Sequence, residues 1–303
     1  MKSADRFIVL LIFYFLTFST RASETKAGFS LPDDVSEVSL KFQTIRNLIV
    51  LPVVINDSIQ VNLILDTGCR NLVLFGKRFR NLFQTTPNQK VQFSGLGDGN
   101  PIQGKLSLNN KVSIQAVIGE KIPVVIVAEK NLFSNYAGIH GVIGYDIFIK
   151  FEIELDPLNQ VITFRPASSS ELSNEYEKIP LVIEDSRPLI RSQVFFKDSD
   201  GLACDLMLDT GSSLGLLMKT TDLEKFPGGN ERKILGRGFN GKVVGFEMIA
   251  SKLILSTFEI SVITADITYS AWHNFASVGM DIMKDYVVVL NYCKAYAGFK
   301  KIL

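Results

Sequence analysis

The chain is 303 residues long and carries 32 Lys and Arg against 31 Asp and Glu, a formal net charge of +1. This balance excludes a large basic surface, so we expect neither nucleic acid nor an anionic membrane as a partner. The two His residues, His140 and His273, and the three Cys residues lack the spacing of metal ligands. The sequence therefore predicts no metal and no other cofactor.

The first 22 residues have the pattern of an export signal. Lys2 and Arg6 precede a hydrophobic stretch over 7–18, and Ala22 is a small residue suited to cleavage. We predict a signal peptide over 1–22 and a mature protein that is periplasmic or secreted, with no membrane contact after cleavage. The alternative is an uncleaved N-terminal anchor, although the hydrophobic stretch is short for a membrane-spanning helix.

The rest of the chain has the pattern of an all-β protein. Short apolar stretches rich in Val, Ile and Phe alternate with clusters of Gly, Asn, Asp and Pro. Hairpin turns are predicted at 56–58 and at 109–110, where Asn and Asp interrupt apolar runs. Short helices are predicted only around 222–226 and 271–276.

Two of the apolar stretches end in the same tripeptide, Asp-Thr-Gly. Residues 63–65 lead into the first copy at 66–68, and residues 206–208 lead into the second at 209–211. In each copy a strand delivers a carboxylate to its end, Thr fixes the turn by hydrogen bonding, and Gly allows a tight bend. A single copy is an ordinary strand-end turn, but two copies in similar surroundings indicate a duplicated functional loop.

The similarity between the two halves extends beyond the tripeptides. Arg46 precedes the first Asp by 20 residues, and Arg187 precedes the second by 22. Val-Ile-Gly at 142–144 is matched by Ser-Val-Gly at 277–279. Landmarks in the same order predict duplication of a unit of roughly 125 residues. We assign the domains as follows: an N-terminal β lobe at 36–164, a linker at 165–178 and a C-terminal β lobe at 179–303.

Two strand-end carboxylates related by such a repeat predict a catalytic pair. Carboxylates a few ångströms apart cannot both ionise, so they share one proton. One group then accepts a proton from a water molecule, while the other donates a proton to a carbonyl oxygen. Such a pair can hydrolyse an amide without a metal and without a covalent intermediate.

In these motifs the chain resembles the pepsin and retropepsin superfamily of aspartic proteases. The resemblance covers nearly all of 36–303 as motif order, and close similarity is confined to the motifs. It implies an all-β, bilobal acid-protease fold with a pseudo-two-fold axis, in which Asp66 and Asp209 form the catalytic dyad. It further implies that two threonines interlock the active loops and that neighbouring residues support them: Thr67, Thr210, Gly68, Gly211 and Ser212.

Glycine-rich loops follow both motifs and predict two flaps over the substrate. The first candidate is a hairpin over 91–108 that contains Gly95, Gly97 and Gly99. The second contains Gly236 and Gly238, at a similar distance from its own Asp. Because glycine lets a backbone approach another chain closely, we expect a peptide or protein substrate to bind as an added strand. One chain supplies both aspartates, so we expect a monomer.

The residues after each Gly predict how the dyad shares its proton. In pepsin-like enzymes a Ser or Thr at this position donates a hydrogen bond to the aspartate. Ser212 can do so for Asp209, whereas Cys69 offers Asp66 only a weak donor. We therefore predict that Asp209 ionises first and that Asp66 keeps the proton. The alternative is that the cation of Arg70 lies near Asp66 and lowers the pKa of Asp66 instead. Cys69 could instead form a disulfide with Cys204 or Cys293, and the sequence does not choose among the pairings.

Two other classes of function fit parts of the pattern. The actin and sugar-kinase superfamily has a hydrophobic-Asp-x-Gly-Ser/Thr loop in each of two duplicated domains; residues 209–212 match it, but 66–69 lack the hydroxyl. A pepsin-like shell could also bind peptides or proteins without cleaving them, although such relatives usually lose one aspartate. A cleavage assay with a transition-state analogue as inhibitor separates the three.

Overall fold

A computed structural model of the protein describes residues 27–302 except 87–88, 130–131, 134–135, 137, 198–199, 223–225, 227–230 and 271–275. The fold is all-β, with 58% strand and 4% helix. The predicted signal peptide, His273 and most residues of the two predicted helices lie outside the described residues. In the part of the chain that is described, no helix has the length and apolar character needed to cross a membrane.

The described residues form 23 strands and two short α-helices. In chain order the strands are β1 (Gly28–Ser30), β2 (Val38–Lys41), β3 (Gln43–Ile45), β4 (Leu48–Ile55), β5 (Ile59–Leu65), β6 (Leu72–Phe75), β7 (Lys90–Phe93), β8 (Ile102–Ile114), β9 (Val117–Val127), β10 (Gly141–Ile143), β11 (Phe151–Asp156), β12 (Val161–Pro166), β13 (Glu177–Pro180), β14 (Val182–Glu184), β15 (Arg187–Phe196), β16 (Leu202–Leu208), β17 (Leu216–Thr220), β18 (Lys233–Gly238), β19 (Gly241–Leu255), β20 (Phe258–Tyr269), β21 (Ala276–Val278), β22 (Tyr286–Asn291) and β23 (Tyr296–Lys301). The helices are α1 (Tyr145–Phe148) and α2 (Met280–Met283).

The first half of the chain builds a nine-stranded sheet in which the first Asp-Thr-Gly loop is central. The strands follow the order β1-β9-β6-β10-β5-β4-β8-β7, and β3 pairs with β4. Most neighbours are antiparallel, but β10 runs parallel to β5 and β6 runs parallel to β9. The loop after β5 therefore lies between β5, β10 and β6. Strand β1 begins before residue 36, where the sequence placed the start of the first lobe.

The second half of the chain repeats this arrangement in an eight-stranded sheet of its described residues. The strands follow the order β14-β15-β16-β21-β17-β20-β19-β18. Here β21 runs parallel to β16 and antiparallel to β17, and β17 runs parallel to β20. These pairings reproduce those of β5, β10, β6 and β9. The duplication seen in the sequence is therefore also present in the strand topology.

A third, six-stranded sheet joins the two halves. It has the order β13-β23-β22-β11-β12-β2, so each half supplies three strands. The halves meet where β11 pairs with β22 in antiparallel register, for example through Glu152 and Asn291. The segment predicted as a linker, 165–178, begins in β12 and ends in β13. Its Ser170 hydroxyl is buried and donates a hydrogen bond to Glu152. Both ends of this segment are thus part of the shared sheet.

The hydrophobic core extends through both halves, because the β-strands alternate buried and exposed side chains. One large cluster of buried residues includes Leu51 and Leu65 from the first half and Ile190 and Leu208 from the second. Each fully buried Leu or Ile contributes about 1.5–3 kcal/mol through removal of apolar surface from water. This core fixes the strands that carry the two Asp-Thr-Gly loops.

One predicted turn is correct and the other is wrong. Residues 56–58 form the turn between β4 and β5, but strand β8 continues through 109–110. The pairing of β8 with β9 shifts register there, and Asn109 has a positive φ of 59°. The Asn110 side chain is buried and donates to the carbonyl oxygen of Ile122 at 3.1 Å. Asn at this position therefore stabilises a bulge rather than a hairpin turn.

Candidate active site

Each Asp-Thr-Gly loop starts where a buried strand of its sheet ends. The backbone N–H of Asp66 donates to the carbonyl oxygen of Ile143 at 2.8 Å, and that of Asp209 donates to Val278, also at 2.8 Å. Both acceptors are the last residues of the parallel neighbours, β10 and β21. The parallel pairing thus sets the point at which each aspartate leaves its sheet. The two carboxylates start from equivalent positions in the two halves.

The glycines of the later motif hold each loop from behind by close backbone contact. A Cβ added to Gly144 would lie 1.8 Å from the carbonyl oxygen of Cys69, and one added to Gly279 would lie 2.7 Å from that of Ser212. The same carbonyl oxygens accept hydrogen bonds from the first residues of α1 and α2, at 2.9 Å and 2.8 Å. Any side chain at either glycine would therefore displace an active loop.

The two threonines join the loops through reciprocal hydrogen bonds. The Thr67 N–H donates to the Thr210 hydroxyl at 3.1 Å, and the Thr210 N–H donates to the Thr67 hydroxyl at 3.0 Å. Each hydroxyl also donates across to the other half, to Leu208 at 2.6 Å and to Leu65 at 2.8 Å. Both threonines are completely buried. Because neither loop can move without breaking these bonds, the relative position of the aspartates is fixed.

The two carboxylates border one small space. A Cβ atom placed on Gly68 would lie 3.1 Å from Asp66 Oδ1 and 3.5 Å from Asp209 Oδ1, so the two oxygens cannot be further apart than the sum of these distances, about 6.6 Å. A Cβ on Gly211 would lie 2.4 Å from Asp66 Oδ1. The glycines therefore leave room for the carboxylates. At this separation both groups can reach a single water molecule.

Burial and mutual repulsion perturb the ionisation of Asp66. Burial, together with the charge of Asp209, raises the pKa of Asp66 to about 7. The Gly68 N–H, which donates to Asp66 Oδ1 at 2.8 Å, and the Arg187 guanidinium oppose this rise in pKa. The net effect favours the protonated form of Asp66 below about pH 7.

Asp209 differs because a cation is close to it. Burial raises the pKa of Asp209, but the Lys219 ammonium, the Gly211 N–H and the Arg187 guanidinium lower it. Burial in turn lowers the pKa of Lys219, and Asp209 opposes that change. The pKa of Asp209 stays raised overall, and the half-buried Lys219 is the group that opposes the rise most. The sequence motifs did not reveal Lys219, and Arg187 was visible only as a repeated landmark without a role.

The sequence predicted that Asp209 ionises first because of the side chains that follow each Gly; that order stays a prediction, and the two side chains make other hydrogen bonds. The Ser212 hydroxyl accepts a hydrogen bond from the Leu214 N–H at 3.3 Å, and the Cys69 thiol donates to the Asn71 carbonyl oxygen at 3.2 Å. Backbone N–H groups and nearby cations, rather than these side chains, favour the ionised form of Asp209. The predicted hydrogen bond from the Ser212 hydroxyl is therefore replaced by backbone support.

The dyad lies at the floor of a cleft of about 1140 Å³ between the two halves. Residues of both Asp-Thr-Gly loops line it, together with strands of both large sheets and the two glycine-rich hairpins. Its volume is of the size that binds a ligand larger than a single amino acid. The cleft is therefore open to a chain that passes over both carboxylates.

The two glycine-rich hairpins meet over this cleft and are bonded to each other. The Asn240 N–H donates to the Leu96 carbonyl oxygen at 3.1 Å, and the Gly95 N–H donates to Asn240 Oδ1 at 2.8 Å. The Asp98 N–H donates to the Lys242 carbonyl oxygen at 3.1 Å, while the Lys242 N–H donates to Asp98 Oδ1 at 2.9 Å. The hairpins β7–β8 and β18–β19 thus form a closed bridge above the dyad.

Two of the predicted flap glycines in the first hairpin are required by this contact. Gly97 has a positive φ of 129°, and a Cβ added to it would lie 2.5 Å from the Gly241 amide nitrogen. A Cβ on Gly99 would lie 2.0 Å from the Asn240 carbonyl oxygen. Because these atoms belong to the opposing backbone, they cannot move aside without separating the hairpins.

The predicted flap glycines of the second hairpin both line the cleft but differ in their surroundings. A Cβ on Gly238 would lie 2.1 Å from the Leu96 carbonyl oxygen, so Gly238 is part of the contact, and Gly95 packs against the Phe239 side chain. Gly236, in contrast, lies within strand β18 and has no atom within 4 Å of a Cβ. The sequence echo at 235–238 had suggested a loop there, but the tip of the hairpin is at Phe239 and Asn240.

Neither thiols nor histidines form a second site in the described part of the chain. Cys69, Cys204 and Cys293 are free thiols. His140 Nδ1 accepts a hydrogen bond from the Asn62 N–H at 2.8 Å, and the ring packs edge-on against Phe79. Among the described residues, no three His, Cys, Asp or Glu side chains lie together as a metal site requires.

Comparison with known proteins does not identify a family. No protein-family model matches the chain, and no curated protein is significantly similar to it.

Proposed function

We propose that the protein is an aspartic endopeptidase with the bilobal acid-protease fold, and that Asp66 and Asp209 are its catalytic dyad. The observation that carries this proposal is the pair of buried carboxylates on two loops that are interlocked by Thr67 and Thr210. A structural pair of aspartates has no need of a cleft in front of both carboxyl groups. This pair instead opens into a cleft covered by two hairpins.

The unequal environments of the two carboxyl groups support an acid–base mechanism. In this mechanism Asp209 is ionised and Asp66 is protonated. Asp209 accepts a proton from a water molecule while the oxygen of that water attacks the scissile carbonyl carbon. Asp66 donates its proton to the carbonyl oxygen, which gives a neutral diol. Asp209 then protonates the amide nitrogen as the C–N bond breaks, and one diol hydroxyl returns a proton to Asp66.

The cleft supports a peptide substrate rather than a small molecule. Residues of both halves and of both Asp-Thr-Gly loops line the cleft, which gives an extended chain a path past both carboxylates. The hairpin backbones at Gly95, Leu96 and Asp98 are bonded to the opposing hairpin, so a substrate that pairs with them as an added strand requires the hairpins to separate. Because both loops belong to one chain, the dyad requires no second copy of the protein. We further propose that the enzyme is exported after cleavage behind Ala22, which N-terminal sequencing of the mature protein tests.

The two alternative functions make different demands on the fold. The described helices are four residues long, so the long helices of an actin or sugar-kinase fold have no counterpart among the described residues. A non-catalytic peptide-binding shell would not need two carboxyl groups with different environments around one space. The structure therefore favours hydrolysis over both alternatives, and the assay below separates them.

The direct test is cleavage of an unfolded protein such as reduced casein between pH 3 and pH 8, with mass spectrometry of the products. Asp66→Asn and Asp209→Asn should each lower kcat by about 10²- to 10⁴-fold or more, since each removes an acid–base group. Asp266→Asn is the matched control: this aspartate is also buried, and burial raises its pKa to about 6, but it does not line the cleft. The control should keep wild-type turnover.

The outcomes separate the proposals. Cleavage that is lost in both dyad variants, kept in Asp266→Asn, and blocked by a statine-type peptide supports the endopeptidase. A variant at Asp66 or Asp209 that retains a tenth of wild-type turnover removes that residue from the dyad. Binding of the peptide analogue without cleavage of any substrate would favour the non-catalytic alternative.

A further inference from the structure

The two walls of the cleft occupy equivalent places in the fold but differ in chemistry. The wall from the first half is a cluster of buried apolar side chains that includes Ile64, Val73, Val125 and Val142. The Phe75 ring packs behind this wall and contacts two aromatic rings of the cleft lining, each with a centroid distance of 5.6 Å. This wall is suited to an apolar or aromatic side chain.

The strand registers show which residues of the second half are equivalent to this wall. Strand β6 pairs with β10 through Val73 and Val142, and β17 pairs with β21 through Leu217 and Ser277. The two pairs occupy the same places relative to the Asp-Thr-Gly loops. Val73 therefore corresponds to Leu217, and Val142 corresponds to Ser277.

Other equivalents of the apolar wall are polar. Val125 pairs with Val73 and Asp266 pairs with Leu217, so Val125 corresponds to Asp266. Phe75 corresponds to Lys219 by the same register. The parallel neighbours differ in the same direction, because Phe75 pairs with Val127 whereas Lys219 pairs with Thr268. Both Lys219 and Thr268 line the cleft. The second wall thus presents an ammonium group where the first presents an aromatic cluster.

The charges of the cleft follow the same division. Seven Arg and Lys residues line it, and five of them come from the second half of the chain: Arg46, Arg70, Arg187, Lys219, Arg232, Arg237 and Lys242. The described residues that line the cleft include three acidic ones, which are Asp66, Asp209 and Asp98. Clefts with an excess of one charge attract ligands of the opposite charge.

We propose that the cleft selects peptides with an apolar or aromatic side chain on one side of the scissile bond and an acidic side chain on the other, with Lys219 binding the acidic side chain. This inference rests on the proposed endopeptidase function and names its substrate class. An acidic side chain beside the ionised dyad would be repelled without a nearby cation. Lys219 supplies that cation on the side of Asp209.

The test uses four peptides that differ only at the two residues flanking the scissile bond: Leu-Glu, Leu-Gln, Glu-Leu and Gln-Leu. Because hydrogen bonds to a charged group discriminate strongly, wild-type kcat/KM should favour Glu over Gln by about tenfold or more. The preference should occur in only one of the two orders. A cleft that is merely positive overall would favour Glu in both.

Variants at Lys219 separate a specific contact from general charge. Lys219→Met should bring the Glu-to-Gln ratio to about one, and Lys219→Arg should retain the preference, since it keeps the cation. Because the Glu and Gln peptides are cleaved by the same variant, the ratio of their kcat/KM values is unaffected by any change that Lys219→Met makes to the ionisation of the two aspartates. Lys242→Met is the matched control, because Lys242 also lines the cleft but lies in the covering hairpin. It should leave the ratio unchanged.

Binding measurements keep this inference distinct from the proposed function. Noncleavable hydroxyethylene analogues of the same peptides are titrated calorimetrically into wild type and Lys219→Met. Glu-dependent binding without cleavage would support the substrate class and remove the endopeptidase proposal. Cleavage with equal ratios for Glu and Gln, or a preference that survives in Lys219→Met, would overturn the role of Lys219. Neither binding nor cleavage of any of the peptides would overturn both.

Discussion

Replacing Asp66 by asparagine should remove a large part of the pH dependence of stability. Asp66 is buried beside another carboxyl group, and its pKa rises from 3.8 to about 7 in the folded protein. Between these two pH values the folded state holds a proton that the unfolded state has released. The unfolding free energy of the wild type must therefore fall as the pH rises through this window.

The size of the effect follows from the shift in pKa. A difference of about three pKa units corresponds to about 4 kcal/mol, because each unit contributes about 1.4 kcal/mol. An asparagine side chain at this position carries no titrating proton, so this contribution is absent from the variant. Relative to wild type, Asp66→Asn should gain about 4 kcal/mol between pH 4 and pH 8. This is a large fraction of the roughly 5–15 kcal/mol that typically stabilises a folded domain.

Urea titrations followed by far-ultraviolet circular dichroism at pH 4, 5, 6, 7 and 8 measure this difference. Asp209→Asn provides a comparison, because it removes the neighbouring charge from Asp66 but leaves its burial. That variant should retain part of the pH dependence, since burial is the larger cause of the raised pKa. Parallel stability curves for wild type and Asp66→Asn would refute the reasoning.

Three further changes test the loops, the hairpins and the cation. Thr210→Val deprives two buried backbone groups of their partners and should lower the unfolding free energy by about 2–5 kcal/mol. Thr163→Val breaks one partly buried hydroxyl pair and should cost about 1 kcal/mol, so equal losses in urea would contradict the interlock. Gly97→Val places a side chain against the opposing hairpin and should lower kcat/KM at least about tenfold, which corresponds to about 1.4 kcal/mol. Gly236→Val has open space around its Cβ and should leave kcat/KM within about twofold of wild type. Equal effects of the two variants would contradict the bridge between the hairpins. Lys219→Met removes a cation that lowers the pKa of Asp209, so the acid limb of the pH–kcat/KM profile should move to higher pH. An acid limb at the same pH in both proteins would contradict the interaction between Lys219 and Asp209.

The sequence predicted those features of the site that depend on local residue type. A strand that ends in Asp-Thr-Gly has few alternatives to a tight turn, so the placement of Asp66 and Asp209 on equivalent loops followed from the motif alone. The first hairpin was also predicted within a few residues, because its glycines interrupt an alternating pattern. The predicted signal peptide remains a prediction, since it lies outside the described residues.

Features that depend on register could not be read from the chain. Lys219 lies ten residues after Asp209, and only the pairing of β17 with β21 and β20 directs it toward the cleft. The tip of the second hairpin at Phe239 and Asn240 also follows from register, and a bulge in β18 shifts the pairing between Ile234 and Gly236. Asn109 likewise signals a positive φ without showing whether the chain turns or bulges.

The two halves are alike where they touch each other and unlike where they face the cleft, and this division has a physical cause. Each threonine of the interlock satisfies buried groups of the opposite half, so a change on one side leaves an unpaired polar group on the other, at a cost of about 1–3 kcal/mol. No hydrogen bond of this reciprocal kind links the described walls at Phe75 and Lys219, where the contact between the halves is that of the Phe75 and Phe239 rings. A symmetric pair of loops can therefore be held rigid while its surroundings diverge. That divergence places the two chemically identical carboxyl groups of Asp66 and Asp209 among different charges.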